Sequence, residues 1–196
     1  MSRPYESLLA KGEDRRQHVL EVALRMMATG GGRATTLGQV ARAAGVSTAG
    51  LLHHFSSKEQ LLHAVLDARD AQDEAIADLG GDLDSQLRSV RKRFDRAPGM
   101  VGTFIVLLCE SIDPQAPLRE RFLRRYRTGL AMIATGIRRG QQAGRYRADL
   151  DCDIKAREVL AFLYGLEATW LLDPDVPVDQ VFSGYTSGLL EDLCAR

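Results

Sequence analysis

A chain of 196 residues with no net formal charge, 45% hydrophobic and 27% charged side chains, has the make-up of a water-facing globular protein long enough to bury a core. No apolar run approaches the 18 or so residues that span a bilayer, and the opening MSRPYESLLAKGEDRR lacks an apolar signal segment, so a cytoplasmic protein is expected. Cys109, Cys152 and Cys194 are odd in number, far apart and without a CxxC pair, which argues against a disulfide framework or a zinc site; no metal or cofactor is expected.

Helical periods fill the chain and strand patterns are absent, so the fold class is all-α. Helix one is predicted over 14–29, with Leu20, Ala23, Leu24 and Met27 on one face, and the glycines at 30–32 end it. The next stretch, TTLGQVARAAGVSTAGLLHHFSSK at 35–58, is the most informative. Leu37, Val40, Ala41 and Ala44 follow the i, i+3, i+4, i+7 spacing of one buried face. Gly45 suits a C-cap with positive φ, Val46 plugs the corner, and Ser47 is placed as the next N-cap. Leu51 and Phe55 form the buried face of the following helix. Ser56 and Ser57, with Glu59 and Gln60 behind them, read as a capping box for a third. Two short helices about a tight turn are the helix-turn-helix unit, whose second helix enters the DNA major groove.

Helix four is predicted over 57–79, closed by Gly80-Gly81, apolar near its start (Leu61, Leu62, Val65, Leu66) and polar and solvated in its second half. Helix five, 82–97, buries Leu83, Leu87, Val90 and Phe94 and exposes Arg88, Arg91, Lys92, Arg93 and Arg96. Helix six, 100–112, is apolar nearly all round and should be central. Helix seven, 117–142, turns Leu118, Phe122, Leu130, Ile133 and Ile137 inward and its arginines outward. Helix eight spans 152–172 and a last helix 177–194. Charge is uneven: between 15 and 58, six basic side chains (Arg15, Arg16, Arg25, Arg33, Arg42, Lys58) face one acid, Glu21, a net +5. A basic head on an acidic body suits docking one end on phosphates.

The pattern of TT, spaced apolar residues and AGVS, followed by LLHHFSSKEQLL, resembles the N-terminal domain of TetR/AcrR-type bacterial transcriptional regulators over roughly residues 14–66. The resemblance implies a three-helix DNA-binding head at 1–57 and a helical ligand-binding and dimerising body at 58–196, about nine helices in all. It also implies a homodimer acting on double-stranded operator DNA, usually as a repressor. Thr48, Ala49 and Gly50 would lie nearest the bases, with Ser47 and His53 near the backbone. None of these is the Arg, Lys, Asn or Gln of bidentate base contacts, so direct readout is thin and falls on Gln39, Arg42 and DNA shape. Thr36 would donate its hydroxyl and backbone N–H to a phosphate, and Lys58 matches a phosphate-gripping lysine. Many members carry a tyrosine at the position of Leu52; leucine cannot make that phosphate bond.

In the body, Val178, Val181, Phe182, Tyr185, Leu189 and Leu193 form an apolar stripe, with Gly184 and Gly188 four apart. The expected dimer interface is Phe162, Gly165, Phe182, Gly184, Tyr185, Gly188 and Leu189, the alternative being that the stripe packs within one chain. A small-molecule cavity is expected to draw on Met100, Thr103, Phe104, Leu107, Tyr126, Leu130, Tyr164, Glu167 and Trp170. Glu167 and Glu110 stand in apolar surroundings and require partners. The expected effector is apolar or amphipathic, with at most one basic group. A regulator of the same fold governed by a protein partner or by abundance is the alternative. No GxSxG, P-loop, HExxH or dinucleotide fingerprint is present, so an enzyme is not expected. His53 and His54 project about 100° apart, which disfavours metal binding with His63.

Overall fold

The computed structural model describes residues 4–76, 83–96 and 98–194, which form nine helices: α1 (Pro4–Ala34), α2 (Leu37–Ala43), α3 (Thr48–His54), α4 (Lys58–Ile76), α5 (Leu83–Arg96), α6 (Pro98–Glu110), α7 (Arg119–Gln142), α8 (Cys152–Leu172) and α9 (Val178–Leu193). Among the described residues the only β pairing is an antiparallel bridge between Tyr146 and Cys194. No helix there is long and apolar enough to cross a membrane.

The ends of α1 depart furthest from expectation, and α6 lies two residues earlier than expected at each end, with Pro98 and Gly99 inside it rather than closing helix five. α1 begins at Pro4, ten residues early, because proline at a helix start sacrifices no bond and the polar segment behind it is rich in good helix formers. Of the three glycines at its end, only Gly31 leaves helical backbone (φ 75, ψ 166), and a last turn resumes to Ala34. The expected end of helix four at 79 and its Gly80-Gly81 stop lie outside the described residues, as do the expected ends of helix five.

One core cluster joins the head to the body. Val19, Leu20, Ala23 and Met27 of α1, Leu51, Phe55, and Leu61 and Val65 of α4 are buried together with Phe104 and Leu107 of α6 and Leu118 and Phe122 near the start of α7. α1 makes its most extensive helix contact with α6. The expected division at 57/58 therefore falls within a shared core. A second cluster packs α5, α7, α8 and α9 around Leu83, Leu87, Ile137, Ala156, Val159 and Leu193.

The polar second half of α4 is not simply solvated, and not all arginines of α7 point outward. Arg121 reaches Asp67 and Asp70 (both 2.8 Å) and the His63 carbonyl (3.0 Å), while Arg125 also pairs with Asp70. Arg69 is buried with its guanidinium 3.7 Å from the centroid of the Phe104 ring, a cation–π contact. On α5, Arg91 is half-buried and bonded to Asp179 of α9 (2.6 Å). Burial pushes its pKa down, but Asp179 and Asp95 outweigh that and hold it above the ordinary value.

Candidate nucleic-acid interface and effector cavity

The corner between α2 and α3 is built by its caps. Thr36 caps α2: its hydroxyl accepts from the Gln39 N–H (3.2 Å), while its own N–H and hydroxyl donate to Gln39 Oε1 (2.8 and 2.9 Å). At the other end Gly45 takes φ 66, and the N–H groups of Gly45 and Val46 return to the carbonyls of Arg42 and Ala41 (3.2 and 2.9 Å). This is the paired bond pattern of a Schellman cap, for which glycine has no Cβ penalty. Two residues later Ser47 caps α3 by accepting from the Gly50 N–H at 3.0 Å. Beneath the corner Val40, Ala41, Leu51 and Phe55 are buried, and Arg16 lies over the Phe55 ring.

Outside, the expected contact residues are displayed. Thr36, Gln39, Arg42, Ser47, Thr48, Ala49 and His53 are exposed, and Gly50 is half-buried. Leu52 is 41% exposed, an apolar side chain on the outer face of α3. Lys58 is half-buried, its ammonium donating to the Arg33 carbonyl at 2.9 Å. The α4 cap differs slightly from the expected box: Ser57 accepts from the Gln60 N–H, but the Gln60 side chain bonds Ser56, and Glu59 lies 3.8 Å from His63.

In the body, a cavity of about 670 Å³ opens between α4, α5, α6, α7 and α8. Of the nine expected lining residues, Phe104, Tyr164 and Glu167 line it. Thr103 and Leu107 face the head instead: the Thr103 hydroxyl donates to the Leu24 carbonyl (3.2 Å), and Leu107 packs toward Gly32. Trp170 packs edge-on against Phe94, the Tyr126 hydroxyl accepts from Arg157, Leu130 sits in the second core, and Met100 lies outside the residues whose side chains are described. The error has a physical source. α6 is apolar on every side, so its period cannot say which face meets α1 and which the cavity, and Thr103 and Leu107 lie about 100° and 60° round from Phe104 on the same side.

The reading missed the charged wall. Arg69, Arg121 and Arg125 stand with Asp70, Glu74 and Glu167 around an apolar floor that includes Leu87, Ile133 and Leu163. The only advance sign was the run of acids and arginines in matching halves of α4 and α7. Buried Glu167 shares this wall with buried Arg69.

α9 has two apolar faces, and the expected interface residues divide between them. Phe182 and Leu189 are buried in the chain's own core, along with Val178 and Leu193, so that half of the stripe packs within the chain. Val181, Gly184, Tyr185 and Gly188, at i, i+3, i+4 and i+7, form the outer face. A Cβ added to Gly184 or Gly188 would meet nothing within 4 Å, and the same holds for Gly165 on α8. Phe162 stacks on Tyr185 beside them, and Leu172 at the end of α8 is 87% exposed.

Comparison with known proteins agrees with this architecture. Residues 19–65 match the family described as "Bacterial regulatory proteins, tetR family". The chain is 27% identical to the HTH-type transcriptional regulator TtgR of Pseudomonas putida, with 84% of each covered. It is 27% identical to the HTH-type transcriptional repressor KstR2 of Rhodococcus jostii, with 92% of each covered. The fold matches AibR, solved in complex with isovaleryl coenzyme A and operator DNA, with a TM-score of 0.75 at 21% identity over 90% of this chain and 98% of that one. With a capped helix-turn-helix head that matches the tetR family model over residues 19–65 and a helical body on the same fold, the chain resembles TetR-type bacterial transcriptional regulators along most of its length.

Proposed function

We propose that the chain is a repressor that binds a palindromic operator as a homodimer and is released by an apolar or amphipathic small molecule. The observation that carries the DNA-binding part is the doubly capped corner at Thr36–Gly45–Ser47, which holds α3 rigid while leaving Thr48 and Ala49 exposed at its first turn. Two such helices enter successive major grooves about 34–36 Å apart. Thr36, Gln39, Arg42, Ser47, Thr48, Ala49, Gly50, His53 and Lys58 make up the contact surface. The outer face of α8 and α9, with Gly165, Gly184, Tyr185, Gly188 and Phe162, is the dimer seam: glycines allow close helix approach, and Leu172 becomes buried.

The cavity supports effector control over a regulator without an inducer, since its volume falls within the range of small-molecule sites. Its floor takes an apolar body, and the Arg69–Glu167 wall takes a polar end of either sign. An effector acts only to the extent that it prefers the protomer spacing that cannot span both half-sites. AibR, solved with isovaleryl coenzyme A and operator DNA, is a precedent within the same fold. No catalytic step belongs to this reading.

The test is selection of duplexes from a random-sequence pool by the purified protein, with sedimentation analysis of the free protein. The expected result is an inverted repeat bound with strong salt dependence by a species of twice the chain mass. Enrichment of no duplex, or a monomer at micromolar concentration, overturns the proposal.

A further inference from the structure

The last residue of α6 is an acid, although the carbonyl end of a helix carries negative potential. Glu110 is offset by a receptor in the head. Its carboxylate accepts from the backbone N–H of Gly32 (3.1 Å) and of Arg33 (3.0 and 3.1 Å). The two N–H groups converge because Gly31 adopts φ 75, ψ 166, a conformation open essentially to glycine alone. Successive N–H groups gathered in this way form a concave anion site. Neither neighbouring glycine leaves room for a side chain. A Cβ on Gly31 would lie 2.6 Å from Glu110 Oε1, and one on Gly32 would lie 2.6 Å from Leu107 Cδ2 and 3.0 Å from Glu110 Oε2.

The clamp is closed from both sides. The Arg33 guanidinium donates to the Glu110 carbonyl (3.1 Å) and to Asp113 (3.3 Å). Lys58, at the start of α4, donates to the Arg33 carbonyl, and the Thr35 hydroxyl donates to the Gly31 carbonyl at 2.7 Å. Residues 31–36 are thus where α1, α2, α4 and α6 meet. On α6 itself Phe104 lies six residues before Glu110, about 9 Å along the axis, and walls the cavity.

We propose that Glu110 is a positioning residue that fixes the α2–α3 corner to α6. Displacement of α6 at Phe104 then reaches the reading helices through the backbone at 31–36, in parallel with the covalent route through α4. This rests on the reading of the head as a DNA-binding unit.

The test uses the full chain, with Glu110→Ala, Gly32→Ala, the double variant, and Asp113→Asn, which removes only the outer ion pair. Amide hydrogen exchange is followed at Gly32 and Arg33, with Ala156 and Val159 of α8 as reference. Loss of bonds to a charged acceptor should speed exchange at 32 and 33 about tenfold or more in Glu110→Ala, leaving α8 unchanged. Asp113→Asn should leave both regions unchanged. If Glu110→Ala loosens α8 too, Glu110→Gln, which keeps the shape, should still give the selective acceleration.

Affinity for a duplex enriched by the wild-type chain should fall about tenfold in Glu110→Ala and in Gly32→Ala, and no further in the double, since both break one contact, while Asp113→Asn should keep it. Unchanged exchange at 32 and 33, or losses that multiply in the double variant, overturns the proposal. If the wild-type chain enriches no duplex, the DNA-binding reading fails, and exchange alone decides whether the clamp exists.

Discussion

The ring of Tyr185 lies flat on the ring of Phe162, centroids 3.6 Å apart and planes 8° from parallel, and so ties α9 to α8 on the outer face of the body. Beside it Gly184 and Gly188 offer no side chain at all. A leucine at either position has room at its Cβ in the isolated protomer, since nothing stands within 4 Å, but it would fill the space a partner helix needs at the proposed seam. Gly184→Leu and Gly188→Leu should therefore give monomers in sedimentation analysis. Their helix content should be undiminished, since leucine favours helix over glycine by roughly 0.8 kcal/mol. Variants that remain dimeric would place the seam elsewhere.

The same stack makes Tyr185 a reporter. Burial is the largest cause of its raised pKa, the Glu158 charge adds to it, Lys155 opposes, and the phenol is pushed up to about 12. The neutral form is the one favoured by folding. The associated stability is therefore complete below the ordinary phenol pKa of about 10 and is lost as pH rises toward 12. Ultraviolet titration of tyrosinate should show a late-ionising fraction that disappears in Tyr185→Phe. A titration identical in the two proteins would refute the assignment.

At the turn between α7 and α8, Gly140 lets the Tyr146 ring lie directly on the helix backbone; a Cβ there would sit 2.0 Å from Tyr146 Cδ2. Overpacking of this kind costs about 1–3 kcal/mol. Gly140→Ala should lower the urea midpoint accordingly, and adding Tyr146→Ala should leave the double variant less impaired than the sum of the two. Strict additivity would show that the ring and the glycine are independent.

Exposed Arg42 closes the last turn of α2. If it meets a phosphate in the operator complex, Arg42→Ala should reduce the slope of log affinity against log salt by about 1 and weaken all duplexes alike. A loss confined to one base pair would instead identify it as a base reader.

Thiol labelling separates the three cysteines. Cys109 and Cys194 are exposed, whereas Cys152 is buried, donates to Gln141 Oε1 at 3.1 Å, and has its pKa raised chiefly by burial. At pH 8 two thiols should react with a maleimide quickly, and the third only as the protein unfolds. Three equal rates would contradict the packing at the start of α8.

How much could be read in advance depended on whether each residue had one job or several. The corner was legible almost atom by atom, because Gly45 and Ser47 have few other uses between two helical periods. α8 was found with both ends in place, Cys152 and Leu172, although the Asp151 side chain that caps its start was not singled out in the sequence. The cavity was poorly legible. α6 offers no polar face to orient it, and the rule that sends arginines outward fails where Arg121 and Arg125 find Asp70 on a neighbouring helix. α9 misled for the opposite reason: its apolar residues cover two faces, and only packing divides Phe182 and Leu189 from Gly184 and Tyr185. Glu110 was visible as an anomaly, but its partners are N–H groups 77 and 78 positions away, which no local pattern encodes.

The Thr36–Gln39 bonds carry a consequence for recognition. Gln39 is the side chain on α2 whose amide can pair at once with the N7 acceptor and the N6 donor on the major-groove edge of an adenine. In the free protein its carbonyl oxygen already holds two donors of Thr36. If Gln39 reads a base in the proposed operator complex, that contact competes with holding the helix start: a duplex would have to match the whole amide to draw it away, and a half-match would leave the glutamine at home. Discrimination at that step comes from what the protein would have to give up.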